Sequence, residues 1–91
     1  MWYAYAVGED RYTELCNALN TYLGMLEDSG RPSKRGRNLY ERLIKYQVES
    51  LTAAESVILL NALSFTIAIC SINDQTREKL VWMLNYFCLS D

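Results

Sequence analysis

The sequence predicts an all-α fold, a compact bundle of about four helices in a single domain of 91 residues. Three observations carry this prediction. Hydrophobic residues make up 51% of the chain and charged residues 22%, which is typical of a globular protein. Apolar residues recur at helical spacing in four segments, at about 10–27, 39–50, 53–71 and 75–88. Residues that commonly cap helices stand at the start of the last three segments.

The first helix is predicted at about 10–27. Its apolar residues recur every three or four positions and are Tyr12, Leu15, Cys16, Leu19, Tyr22, Leu23 and Leu26. The opposite side is polar and acidic, and Gly30 fits a helix stop. The short segment 2–7 precedes this helix and is compatible with a strand, a helical turn or an extension packed on the bundle.

The second helix is predicted at about 39–50, after an exposed basic loop at 29–37. The loop holds two glycines, the only proline of the chain and four basic residues, a composition typical of turns. Asn38 precedes the helix by one residue and Glu41 follows three residues later, as in a capping box.

The third helix is predicted at about 53–71, where Thr52 and Glu55 form a stronger capping box. It is apolar nearly all round, so we expect it to be central, with most of its circumference buried. The fourth helix is predicted at about 75–88, with Asn73 or Asp74 as its cap.

The residue types make catalysis and cofactor binding poor expectations. Histidine is absent, which removes the commonest general base and the commonest metal ligand. Neither a glycine-rich phosphate loop nor metal-ligand spacing occurs in the sequence. We therefore expect no enzyme activity, no catalytic residue, no metal and no cofactor.

The cysteines and the apolar runs bear on location. Three widely spaced cysteines argue against a disulfide framework and favour a reducing compartment, so we expect a cytoplasmic protein. We see no secretory signal in the sequence. The longest apolar run, at 57–70, is interrupted by polar residues and is shorter than a bilayer requires, so no membrane association is expected.

The net charge of −2 hides an uneven distribution along the chain. Residues 1–30 have a net charge of −4, residues 31–48 of +5, and residues 49–91 of −3. The basic side chains predicted to contact a partner electrostatically are Arg31, Lys34, Arg35, Arg37 and Arg42. They are alternatively a solvated loop, or a site for nucleic-acid phosphates. The third helix lacks lysine and arginine, which argues against a recognition helix in a DNA groove.

Aromatic residues supply a second candidate surface. Trp82, Tyr86 and Leu89 lie at helical spacing on the polar side of the fourth helix, a position that favours partner contact. Trp2, Tyr3 and Tyr5 either join that contact or fold back to cover the fourth helix.

A stripe of mostly small residues runs along the third helix and consists of Val57, Asn61, Ser64 and Ala68. Small side chains permit close approach of helices. The stripe therefore predicts either a symmetric homodimer, in which Asn61 would specify the register, or ordinary packing against the first helix.

These observations favour a non-enzymatic protein-interaction module, a small regulator or inhibitor that occupies a surface of a larger protein or complex. One possibility in this class is a bacterial or phage-encoded inhibitor of a host defence complex. This expectation comes from how frequent such small proteins are and not from any particular residue. The alternatives are a nucleic-acid accessory protein that binds through the basic loop, and a structural homodimer subunit of an assembly. In the preferred hypothesis the basic loop orients the protein and the aromatic residues supply affinity.

Overall fold

The computed structural model describes residues 4–89, with side chains from Ala6 to Cys88. It contains α1 (Glu9–Asp28), α2 (Lys34–Ile44), α3 (Ala53–Ile69) and α4 (Asp74–Leu89), preceded by a short 3-10 helix, Ala4–Val7. No strand occurs within the described residues. The prediction of an all-α bundle of four helices is therefore confirmed, and the described part of the N-terminal segment is a helical turn.

The amphipathic helix α1 contacts each of the other three helices and the N-terminal 3-10 helix. Its buried residues are Tyr12, Leu15, Cys16, Ala18, Leu19, Leu23 and Leu26. Burial raises the pKa of the Cys16 thiol to about 11, so Cys16 stays protonated and acts as a small apolar residue. The buried residues of α1 lie on the side that the sequence predicted. Of the other two cysteines, Cys70 is half-buried and Cys88 is exposed.

The end of α1 is fixed by Gly30, which adopts a left-handed backbone with a φ of 71°. The backbone N–H of Gly30 donates to the carbonyl of Glu27 at 3.1 Å. The N–H of Arg31 donates to the carbonyl of Leu26 at 2.8 Å. This pair of hydrogen bonds is a Schellman motif, in which glycine avoids the steric cost of positive φ.

The end of α2 has the same arrangement with tyrosine in the glycine position. Tyr46 has a φ of 55°, and its N–H donates to the carbonyl of Leu43 at 3.0 Å. The N–H of Gln47 donates to the carbonyl of Arg42 at 2.9 Å. The Tyr46 ring stacks on Tyr12 with 5.2 Å between ring centroids. This ring contact offsets part of the backbone strain of a non-glycine residue at positive φ.

The bounds of α2 differ from the prediction at both ends. The helix runs from Lys34 to Ile44 instead of 39–50. The loop that precedes it is 29–33, so the second half of the predicted exposed loop at 29–37 is helical. Residues 45–52 connect α2 to α3 without helical structure.

The early start of α2 follows from its packing against α1. Gly36 is buried, and a Cβ atom there would collide with the side chain of Leu23, which is itself fully buried. Glycine at this position thus permits close approach of the helices and does not serve a turn. Asn38 lies inside α2 and accepts a hydrogen bond from Arg42 Nε at 3.0 Å, so its predicted role as a cap is wrong.

The capping box at the start of α3 is confirmed. The Thr52 hydroxyl accepts a hydrogen bond from the Glu55 N–H at 3.2 Å. Glu55 Oε1 accepts one from the Thr52 N–H at 2.9 Å. These reciprocal bonds satisfy two of the free N–H groups at the helix start.

The expectation that α3 is buried around most of its circumference is wrong. α1 and α4 contact it on two sides, and α2 contacts it more weakly. Its buried residues are Leu59, Ala62, Leu63 and Thr66. The outward side faces solvent because no described element lies against it.

α4 begins at Asp74, directly after Asn73. The Asn73 side chain accepts a hydrogen bond from the Thr76 N–H at 2.7 Å, which confirms the predicted cap. The buried residues of α4 are Leu80, Met83 and Phe87. None of the described helices has the length and apolar character needed to cross a membrane.

Candidate interaction surfaces

Arg37, one of the predicted electrostatic contacts, is held within the bundle. Its guanidinium donates to both carboxylate oxygens of Glu27, at 2.8 and 2.7 Å, and to Asn20 Oδ1 at 2.8 Å. Ser33 Oγ also donates to Glu27 at 3.0 Å. The bonds from Arg37 and then Ser33 lower the pKa of Glu27 to about 2. Arg37 therefore joins α2 to α1 and leaves little charge for a partner.

Arg42 is also engaged. Its guanidinium forms an ion pair with Glu55 at the start of α3, and it donates to Asn38 on its own helix. Burial opposes ionisation of Glu55, but the bonds from Thr52 and Arg42 outweigh it and lower the pKa of that carboxyl. The Arg42–Glu55 pair connects α2 to α3.

Three of the five predicted basic contacts are left over. Arg31, Lys34 and Arg35 are exposed, and their side chains make no hydrogen bond or ion pair with any described residue. They lie together at the end of the α1–α2 connection and on the first turn of α2. The backbone N–H groups of that turn add partial positive charge. Fewer of the predicted basic contacts are therefore available to a partner than the sequence suggests.

These three side chains border an open groove between α1, α2 and α3. It consists of two adjoining hollows of about 500 and 540 Å³, which share Lys34, Arg35 and Ile58. We define the basic groove by three apolar and three basic lining residues: Tyr22, Leu26 and Ile58, with Arg31, Lys34 and Arg35. The groove combines an apolar surface with an unneutralised positive border.

The predicted aromatic surface on α4 is partly engaged by the protein itself. The Trp82 ring stacks on Tyr86 with 5.3 Å between centroids, and the Arg11 guanidinium carbon lies 3.7 Å from its centre. Arg11 also donates to the carbonyl of Val7. Trp82 remains 40% exposed. This cation–π contact ties α4 to the start of α1, so Trp82 has a structural role beside any contact with a partner.

Most of the other predicted contacts of the aromatic surface lie outside the described part of the chain. Trp2 and Tyr3 lie outside the described residues, as do the side chains of Tyr5 and Leu89. Tyr86 is half-buried and also makes an edge-on contact with Phe87.

The predicted stripe on α3 is exposed and carries no charge. We define the α3 face as Val57, Asn61, Ser64 and Ala68, all four of which are exposed. The alternative that this stripe packs against α1 is therefore wrong. The face spans roughly 17 Å along the helix at 1.5 Å per residue.

Sequence reasoning missed an exposed neighbour of this face. Ile69, the last residue of α3 and the next residue after Ala68, is 70% exposed, and Val57 is 54% exposed. The sequence predicts burial around most of the third helix, and Ile69 contradicts that expectation. An available signal was that α3 contains more apolar residues than its two flanking helices can cover.

Within residues 4–89, no group of three or more cysteine and carboxylate side chains is arranged to hold a metal ion. No protein-family model, curated protein or solved structure matches the chain.

Proposed function

We propose that the chain is a non-enzymatic interaction module that acts by occupying a surface of a larger protein, with the α3 face at the centre of the contact. The observation that carries this proposal is the exposure of Val57 and Ile69 on a helix whose exposed residues are all uncharged. A regulator or inhibitor of this size works by covering a surface of its partner. Its three unpaired cysteines suit the cytoplasm.

The composition of the α3 face suits the centre of an interface. Charged residues are depleted at interface cores because their desolvation is costly, and the only charged residue of α3 is Glu55, which is engaged by Arg42. Small side chains such as Ser64 and Ala68 let a partner helix approach closely. Asn61 supplies a polar group that fixes the register of that helix.

The basic side chains have a separate task in this proposal. Arg31, Lys34 and Arg35 lie on the first turn of α2 and its approach, at the border of the groove that Ile58 of α3 also lines. Unpaired charges at the edge of an interface accelerate association and lose strength as salt is added. Apolar contact on α3 then determines the lifetime of the complex.

The test introduces a charge into the α3 face by Asn61→Lys and into the polar side of α1 by Asn17→Lys. Both positions are exposed and helical, so the two substitutions are matched in kind. We expect Asn61→Lys to weaken partner capture at least about tenfold, because an unpaired charge would be desolvated in the complex. Asn17→Lys should leave capture within about twofold of the original chain. The amount captured from a lysate of the source organism is measured by quantitative mass spectrometry.

Circular dichroism and thermal unfolding serve as the control for folding. Lysine is a better helix former than asparagine, so neither variant should be less stable than the original chain. Equal capture by both variants would contradict the proposal that α3 forms the contact.

A second candidate is a homodimer subunit, and the exposure of all four residues of the α3 face favours it. Two copies related by a twofold axis would place α3 against α3, with Asn61 near the axis. Sedimentation of the original chain over a range of concentrations tests this candidate. A dimer that Asn61→Lys converts to a monomer supports it, and a monomer at all concentrations rejects it.

A further inference from the structure

We propose that the basic groove binds a short acidic, amphipathic segment of the partner protein. In such a segment, apolar side chains would enter the first hollow, and carboxylates would face Arg31, Lys34 and Arg35. This inference rests on the proposed function and adds the chemistry of the partner.

The apolar half of the argument comes from the lining of the groove. Tyr22 and Ile58 are half-buried, and Leu26 closes the first hollow from α1. Tyr22 also contacts Phe65 of α3, with 5.8 Å between ring centroids. Contact between the two helices through these rings holds the wall of the groove in place. A hollow of this volume accepts apolar side chains of a peptide, whose transfer out of water is favourable.

The charged half of the argument comes from what the bundle leaves unpaired. Arg37 and Arg42 are occupied by Glu27 and Glu55, whereas the three groove cations have no carboxylate partner among the described side chains. The only acidic side chain that lines either hollow in the described structure is Glu55, and Arg42 neutralises it. The groove is therefore complementary to carboxylates that alternate with apolar groups.

The same features favour a protein segment over a nucleic acid. Phosphate binding needs many cations along a strand and gains nothing from an aliphatic wall such as Leu26 and Ile58. Bases would need aromatic side chains on which to stack, and Tyr22 is the only aromatic residue among the described lining of the groove. Three cations beside an apolar surface match a peptide better.

The experiment uses the complete chain and three fluorescein-labelled peptides of equal length. The first alternates leucines with glutamates at helical spacing. The second has lysines in place of the glutamates, and the third has serines in place of the leucines. We expect the first peptide to bind at least about fivefold more tightly than either of the others, because both charge and apolar contact contribute. Fluorescence anisotropy measures the affinity at two salt concentrations.

The matched variants are Lys34→Glu, at the first residue of α2, and Lys45→Glu, at the residue that follows α2, and both change the net charge equally. Lys34 lines both hollows, whereas Lys45 lines neither. Lys34→Glu should weaken binding of the first peptide about fivefold or more, and Lys45→Glu less than twofold. Chemical-shift changes in the amide spectrum of the chain should centre on Tyr22, Leu26 and Ile58.

Three results would overturn the inference. The first is equal binding of the three peptides, and the second is an equal effect of the two variants on binding. The third is a duplex oligonucleotide that binds as tightly as the acidic peptide and whose binding is weakened equally by Lys34→Glu. Failure here is distinguishable from failure of the proposed function, because partner capture that depends on Asn61 would persist. Loss of both the peptide binding and the dependence on Asn61 would reject the two proposals together.

Discussion

The α1–α2 half of the bundle and the α3–α4 half are built by different means. All four glycines, the only proline and most of the basic residues lie before residue 49, whereas residues 49–91 contain neither glycine nor proline. The first half is held by a glycine contact at Gly36, by Arg37 on Glu27, and by left-handed residues at both helix ends. The second half relies on side-chain caps at Thr52 and Asn73 and on apolar packing.

This difference assigns separate tasks to the two halves. In the α1–α2 half, Arg37 joins α2 to α1 through Glu27 and Arg42 pairs with Glu55 of α3, whereas the cations of the basic groove form no ion pair with a described residue. The α3 face contributes little to the fold, since its four side chains are exposed. Substitutions in the first half should therefore change stability, and substitutions on the α3 face should change binding.

The largest expected effect on stability is at the glycine contact. Gly36→Ala places a methyl group against fully buried Leu23, and overpacking of a core costs about 1–3 kcal/mol. The helix propensity of alanine offsets about 1 kcal/mol of that cost. We expect a net loss of stability in urea unfolding followed by circular dichroism.

The matched control for this substitution is Ser64→Ala on the α3 face, which should change the free energy of unfolding by less than about 0.5 kcal/mol. If Gly36→Ala were as stable as the original chain, Leu23 would have room to move. The close approach of α1 and α2 would then not depend on glycine.

A smaller effect is expected at the end of α1. Gly30→Ala puts a Cβ on a residue with a φ of 71°, and the left-handed conformation costs about 1 kcal/mol for a non-glycine residue. The opposite sign is expected for Gly24→Ala inside α1, where a Cβ meets no neighbouring atom within 4 Å. That change should stabilise the helix by about 0.5–1 kcal/mol. Thermal unfolding of the two variants compares the same substitution in two backbone conformations, and shifts of the same sign would contradict the explanation.

The smallest effect is a pH dependence at Glu27. The folded protein lowers the pKa of this carboxyl from 4.5 to about 2, so the charged form stabilises the fold above pH 4.5. That stabilisation is lost as the pH falls from 4.5 towards 2. Glu27→Gln should therefore have a lower Tm than the original chain at pH 7, and the two Tm values should converge near pH 2.

The control is Glu78→Gln in α4. The Glu78 carboxylate makes no ion pair with any described residue, so the Tm of this variant at pH 7 should match that of the original chain. A Tm difference for Glu27→Gln that stayed constant down to pH 2 would mean that the Arg37 contact does not act through charge.

The sequence predicted α1, α3 and α4 to within about two residues because each has a local end signal. Gly30, Thr52 and Asn73 act through hydrogen bonds to residues three or four positions away. α2 was misplaced because its signals are not local. Gly36 is explained only by Leu23 on another helix, and Tyr46 ends α2 with a backbone conformation that is uncommon for tyrosine.

The sequence was sufficient to identify the residues of the candidate surfaces. It was not sufficient to predict which of these residues are exposed and which are engaged by other side chains. The basic residues of 31–42 were identified, but the engagement of Arg37 by Glu27 depends on the packing of α2 against α1. Likewise, the stripe on α3 was recognised, whereas its exposure depends on where α1 and α4 lie. The hydrophobicity of α3 predicted more burial than the structure has. Hydrophobicity describes the chemistry of a side chain and not the number of neighbours that can cover it.

The contacts of α1 with all three other helices have a consequence for how the chain reaches its fold. Five residues separate α1 from α2, so this pair closes a short loop, whereas 45 residues separate α1 from α4. During synthesis from the N-terminus, α1 and α2 can pair while the α3 and α4 sides of α1 are still uncovered. The apolar side of α1 therefore waits for the second half of the chain, and the sequence-distant contacts of α4 complete the core last.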